Sequence, residues 1–350
     1  MEKTAKRFFL WLTFATLAGL ALFASFVYVT DPFVQYHLPF LGMSTVFSRG
    51  TQAYVNAGLA KNCNYDSVIV GSSVSENFYA SDFDRIFGGS TLKLPYAGAN
   101  TKTYSVILDT VFAHRTIKNV YYSLDLFSMT MDNSKPRYDL PMYLYDDNPL
   151  NDVNYLLNKD TLLYSIDVLK PHEAVSLDDA YNWQNTVSFG KQSVLGQFER
   201  PDAVEGGHSV QSWSTLHRVV EAGMQNVVDQ IERHPETQFT VFYPPYSMVW
   251  FDGYQRRGLL AAICGAWERS MQMLLPYENV KIYAFCAWED VVTDLSNYRE
   301  SMHFSEDVNL RMVEAMGRDE CRITKKNYRE YIQELYAFVA EYDYDAIYLP

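Results

Sequence analysis

Positive charge is scarce in this sequence. Lysine and arginine number 29 against 42 aspartates and glutamates, a formal charge of −13. Lys3, Lys6 and Arg7 against Glu2 leave the first 30 residues at +2, so the remaining 320 carry −15. A surface of that sign repels phosphate backbones and excludes nucleic acid as an expected partner. Cysteine is scarce as well: Cys63, Cys264, Cys286 and Cys321 contain no C-x-x-C spacing, which excludes the usual zinc and thiol-redox motifs. Apart from one histidine taken up below, the histidines (His37, His114, His172, His208, His217, His234) are scattered, so surface or core placement accounts for each and no metal or other cofactor is expected. There is no phosphate loop and no dinucleotide fingerprint; Gly88-Gly89 and Gly206-Gly207 read as ordinary turns. Internal repeats and low-complexity linkers are also lacking.

What is present is a folding chain. With 350 residues, 48% hydrophobic and 20% charged, it can bury one large core or two modest ones. An uncharged, mostly apolar run from Phe8 to Thr30 follows the basic tip and ends at Asp31-Pro32. At helical rise those 23 residues reach about 35 Å, enough to cross a bilayer core of about 30 Å. The basic flank predicts a cytoplasmic N-terminus, a single span and an extracytoplasmic main domain in the cell membrane. A cleaved signal peptide is the competing reading, but its apolar region is usually shorter and Ala21 and Ala24 make a poor cleavage site. In this topology the four cysteines lie outside, where two disulfides in any of three pairings, or four buried thiols, are open alternatives.

From residue 64 onward, β-rich runs alternate with helix-length amphipathic segments, the pattern of a parallel sheet covered on both faces. The predicted strands are Asp66 to Val70, Ser90 to Leu94, Asn119 to Leu124, Gln238 to Tyr243 and Val280 to Phe285. Helices are expected from about Thr101 to Ala113, Ser212 to Glu232, Gln255 to Leu275, Ser305 to Met316 and Lys325 to Tyr342. The organisation expected is a tip and anchor (1–30), a stalk and lead-in helix (31–63), an α/β domain (64–131 and 211–318), an inserted cap (132–210) and a C-terminal packing helix (319–350). The cap is rich in Asp, Asn, Tyr and Pro, and Trp183 with its tyrosines makes it the place to seek a glycan-stacking surface.

In an open parallel sheet, ligands gather at the carboxyl ends of the strands. Val70-Gly71-Ser72-Ser73-Val74-Ser75-Glu76 falls at such an end, where glycine permits a tight bend and a serine projects at a helix start. Helix capping alone explains a serine there equally well. Tyr298-Arg299-Glu300-Ser301-Met302-His303-Phe304-Ser305 follows the last predicted strand. A carboxylate three residues before a histidine can hold one ring nitrogen and leave the other free as a base.

Together, a strand ending in Gly-x-Ser, a glycine after the second strand (Gly98 in Tyr96-Ala97-Gly98-Ala99-Asn100) and an acid-x-x-His before the last domain helix resemble the SGNH/GDSL hydrolase superfamily over roughly residues 64–318. The resemblance implies a flavodoxin-like three-layer α/β sandwich with a parallel sheet of about five strands, joined here to a transmembrane helix and a cap. It implies Ser73 as nucleophile, His303 as base, Glu300 as orienting acid, and the amides of Ser73 and Gly98 as an oxyanion hole. Ser72, Asn100, Asp125 and Tyr243 are candidate substrate contacts. The anchor, the Gly-Ser-Ser variant and the His-Phe-Ser ending are similar to membrane-anchored SGNH-like proteins that accompany MBOAT acyltransferases in teichoic-acid D-alanylation and exopolysaccharide O-acetylation. That likeness implies an acyltransferase or esterase acting on a cell-envelope polymer, with an MBOAT partner. Two features depart from the family. The third block, Gly-x-Asn-Asp, is replaced by Ser123-Leu124-Asp125-Leu126, and an ionised Asp125 cannot donate to an oxyanion; Glu300 is one methylene longer than the usual aspartate. They favour the alternative of a catalytically inactive binding or assembly factor.

Overall fold

Strands of five or six residues with nearly every side chain buried form only where helices cover both faces of a sheet. The computed structural model, which describes residues 2–40, 42–138, 140–170, 175–204 and 210–349, contains such a sheet. In chain order come α1 (Glu2–Thr30), α2 (Gln52–Asn62), β1 (Ser67–Gly71), α3 (Ala80–Phe87), β2 (Thr91–Pro95), α4 (Thr101–His114), β3 (Asn119–Ser123) and α5 (Leu126–Thr130). Next are α6 (Val153–Leu156), α7 (Lys159–Asp167), α8 (Lys191–Gln197), α9 (Val210–Arg233), β4 (Gln238–Tyr243), α10 (Met248–Arg256) and α11 (Leu260–Leu274). The chain closes with β5 (Val280–Ala284), α12 (Glu289–Val292), α13 (Glu306–Gly317), β6 (Arg322–Ile323) and α14 (Tyr328–Glu341).

The chain divides into two units: residues 1–63 with 141–176, and residues 64–140 with 177–350. The stretch 132–210, expected as one cap, is thus shared between them. His172, His208 and Gly206-Gly207 lie outside the described residues.

The larger unit holds the sheet, in order β2-β1-β3-β4-β5-β6. The first five strands are parallel; the sixth, two residues long and antiparallel to β5, corrects the expected count of about five. Right-handed crossovers to opposite sides of β1 must lie on opposite faces. The packing agrees: Tyr121 and Tyr122, consecutive in β3, point to opposite faces. Tyr121 meets Phe83 of α3 at 4.5 Å between centroids, and Tyr122 meets Tyr104 of α4 at 5.7 Å. α4, α9, α11 and α14 pack in succession as one layer, whereas α13 packs with α3. The helix expected over Gln255–Leu275 is broken, because Gly258 adopts φ +67° between α10 and α11. All four cysteines are free thiols.

In the smaller unit, α1 is one helix long and apolar enough to cross a membrane, with a mean hydropathy of 2.0 in its most apolar window. It ends on Asp31, whose buried carboxylate accepts the amides of Gln35, Tyr36 and His37 and the hydroxyl of Tyr155. Those bonds fix the chain's exit from the helix.

Candidate active site

Register aligns the carboxyl ends of the strands: Gly71 pairs with Pro95, and Ser123 with Phe242. The sheet reverses its winding between β1 and β3, so loops diverge there and leave a crevice. β1 ends at Gly71, where a Cβ would stand 2.7 Å from Ser123 Cβ and 2.9 Å from Ser75 Oγ. Only glycine lets the chain pass so close to β3. Ser72 then caps a single 3-10 turn over Ser73–Ser75, and Ser75 Oγ donates to Ser72 O at 2.6 Å. Ser73 is half-buried between the buried Ser72 and Val74.

The Glu300–His303 turn closes on itself. Tyr298 and Phe304 form an antiparallel bridge, and Arg299 N donates to His303 O at 3.0 Å. The Glu300 carboxylate accepts His303 N at 2.7 Å, Met302 N at 3.2 Å and the Ser301 hydroxyl at 3.4 Å, while its Oε1 also contacts His303 Nδ1. The extra methylene relative to aspartate is thereby absorbed within the turn. Burial works against the Glu300 charge, but the bond and charge of His303 and the two amides outweigh it and hold the carboxyl below its ordinary range. An ionised partner at Nδ1 fixes that nitrogen as the protonated one, leaving Nε2 as acceptor. Nε2 lies 2.6 Å from Ser73 Oγ. Ser247 donates to Ser301 O through its amide (3.2 Å) and hydroxyl (2.8 Å), tying the turn to the end of β4.

Gly98 stands in the loop after β2, which is bound to β1 by Tyr96 N donating to Gly71 O at 2.9 Å. Its φ is +66°, and a Cβ there would meet Tyr138 Oη at 2.9 Å. Arg137 Nη1 donates to Gly98 O at 2.8 Å, which fixes the peptide plane. Among the described residues, the amides of Ser73 and Gly98 donate to no protein acceptor.

The remaining predicted residues are placed differently. Asn100 is buried and caps α4: its Oδ1 accepts Thr103 N at 3.0 Å, and its Nδ2 donates to Asp132 O at 2.6 Å and Lys135 O at 2.9 Å. It is spent on holding a loop. Tyr243 is fully buried and its hydroxyl pairs with Ser270 Oγ at 2.7 Å, so it is not brought to the site. Ser72 and Asp125 are buried against one another behind Ser73. Burial raises the Asp125 pKa despite the opposing effects of Ser72, Tyr246 and His303; Tyr246 donates to its Oδ1 at 2.7 Å, and its buried Oδ2 has no partner at hydrogen-bonding geometry.

Sequence inspection missed how Trp183 and Arg299 act. Trp183 is only 7% exposed and stands edge-on to the His303 ring, with Arg299 over its face at 4.9 Å, so it walls the histidine and offers no open face to a sugar. Asn77 Oδ1 accepts Trp183 N at 2.9 Å. The adjacency of Arg299 to the Glu-x-x-His motif was the available signal. Among the described residues, no group of three or more His, Cys, Asp or Glu side chains is placed to hold a metal ion.

No family model and no curated protein matches the chain. Among solved structures it is similar to one described as "a putative platelet activating factor from Streptococcus pneumonia", at 12% identity and a TM-score of 0.37, over 81% of this chain and 92% of that one. A likeness this distant carries no information on activity.

Proposed function

We propose that Ser73, His303 and Glu300 form a serine acyl-transfer site. The supporting observation is the continuous chain from the Glu300 carboxylate through both nitrogens of His303 to Ser73 Oγ. In this reading His303 Nε2 takes the Ser73 proton as Oγ attacks an acyl carbonyl, and Glu300 stabilises the imidazolium that forms. The free amides of Ser73 and Gly98 receive the oxyanion. The imidazolium then returns its proton to the leaving group. A hydroxyl of a cell-envelope polysaccharide or teichoic acid, deprotonated by the same histidine, takes the acetyl or D-alanyl group; water in its place makes the protein an esterase. The apolar helix α1 supports an anchored protein with its main domain outside the cytoplasm, and an MBOAT protein as donor-side partner fits that arrangement.

Full-length protein treated with a serine-reactive fluorophosphonate should be modified at Ser73, with modification lost in Ser73→Ala and reduced in His303→Ala. A folded protein that resists the probe would favour the second reading, an inactive binding or assembly factor for the polymer or the MBOAT partner. That reading is supported by the turn after the third strand, which carries the buried Asp125 where an amide donor is expected, and losing one such donor typically costs about 10²–10³ in rate. A reporter fused after residue 350 should be active outside the cytoplasm; activity inside would remove the envelope polymer as substrate.

A further inference from the structure

The smaller unit is built inside out on one side. α7 turns Thr161 and Ser165 inward, 3% and 0% exposed, together with Val168 just past its end. Outward it presents Leu163 and Ile166, followed by Leu169, at 54%, 48% and 55% exposed, with the exposed Lys159, Asp160 and Lys170 at its two ends. Scattered exposed leucines are ordinary, but small polar residues facing in while branched apolar ones face out is the reverse of a water-facing amphipathic helix. Leu150 and Val153, at the approach to and start of α6, are 86% and 50% exposed.

The position of this face names its solvent. α6 and α7 both pack on α1, and among the described residues of α1 full burial is confined to Val27 and Thr30. At about 1.5 Å per residue, the packed surface falls within the last turn of the apolar run, the depth of a headgroup boundary if α1 spans. Tyrosines gather at the last turn of α1: Tyr28 packs on Tyr36 at 4.7 Å between centroids. Such rings mark membrane–water interfaces. Beside the outward face lies a cavity of about 670 Å³, with Phe33, Tyr54, Leu163, Tyr164 and Ile166 as its apolar and aromatic lining and Asn158, Thr161, Asp160, Asp167 and Lys170 as its polar lining. Its size is that of a small-ligand site, about 300–1,000 Å³.

We propose that α7 is seated in the lipid at the C-terminal end of α1 and that this cavity takes an acyl chain of a bilayer phospholipid. The apolar face is continuous with the apolar helix it packs on, which favours lipid over a protein partner. The proposal rests on α1 spanning a membrane and is independent of the Ser73 chemistry.

The test uses full-length protein in phosphatidylcholine nanodiscs containing a phosphatidylcholine with a diazirine on its acyl chain, irradiated and mapped by peptide mass spectrometry. Adducts are expected in α1, in residues 159–170 and around Phe33 and Tyr54. The Leu163→Gln, Ile166→Gln double variant, both sites being exposed, should lose most adducts in 159–170 while α1 stays labelled. Label in α1 with none in 159–170 of the wild type would assign that face to water or to a protein and overturn the proposal, without need of the variant. Unchanged labelling in the variant would overturn it too. Absence of label from α1 as well would remove the membrane-spanning reading and the proposal with it.

Discussion

The indole of Trp183 stands at 88° to the imidazole of His303, with 5.5 Å between ring centroids, and donates from Nε1 toward Ser73 O at 3.5 Å. One side chain thus touches both the turn that bears the serine and the ring that would deprotonate it. Trp183→Ala should lower the rate of Ser73 modification by about 10²-fold, since small misplacements of reacting groups cost that much. Trp183→Phe, which keeps an edge against the ring, should lose far less. Equal rates for both variants and the wild type, measured with the fluorophosphonate, would show that Trp183 does not set the ring's position.

Glu300 predicts an acid limb. Its folded pKa lies below the ordinary 4.5, so the ionised carboxylate's contribution to stability is complete above about pH 4.5 and is lost as pH falls through the lowered value. Glu300→Gln should flatten this part of the stability–pH curve, read by chemical denaturation. At neutral pH the same variant should slow Ser73 modification by about 10³–10⁴, because a neutral amide no longer fixes the tautomer or stabilises the imidazolium.

Asp125 predicts a slope of the opposite sign. Burial raises its folded pKa above the ordinary 3.8, so the folded state holds the proton more tightly and stability falls as pH rises from 3.8 through the raised value. Asp125→Asn does not titrate and can still accept from Tyr246. Its stability relative to wild type should therefore improve across that window; a difference that stays constant with pH would contradict the buried-acid account.

Lys93 is a buried cation in β2 whose Nζ donates to the carbonyls of Glu76 (2.8 Å), Phe78 (2.7 Å) and Asp178 (3.0 Å). It ties the chain approaching Trp183 to the sheet. Lys93→Met should leave the buried carbonyls of Glu76 and Phe78 unpaired, at about 1–3 kcal/mol each, while the half-buried Asp178 carbonyl can turn to water, and destabilise the protein by roughly 2–6 kcal/mol. Hydrogen exchange should rise first over residues 178–184.

Much of the α/β scaffold could be read from residue patterns. The five parallel strands fall within a residue or so of the apolar runs bounded by glycine, proline and serine, because burial on both faces leaves period and composition little freedom. β6 was not legible, since two residues carry no periodicity. The break at Gly258 was hidden by apolar spacing that continues through it.

The sequence by itself determined which residue types were available for chemistry and at which strand ends they would fall, for local turns and apolar periodicity are properties of neighbouring residues. Tertiary structure alone decided that Ser73 and His303, 230 positions apart, meet at 2.6 Å, that Trp183 is a wall and not a platform, and that Asn100 and Tyr243 are occupied elsewhere. It also decided that Asp125 is shut away from water. Distance, exposure and dielectric depend on what the whole chain packs around a side chain, and no local pattern encodes them.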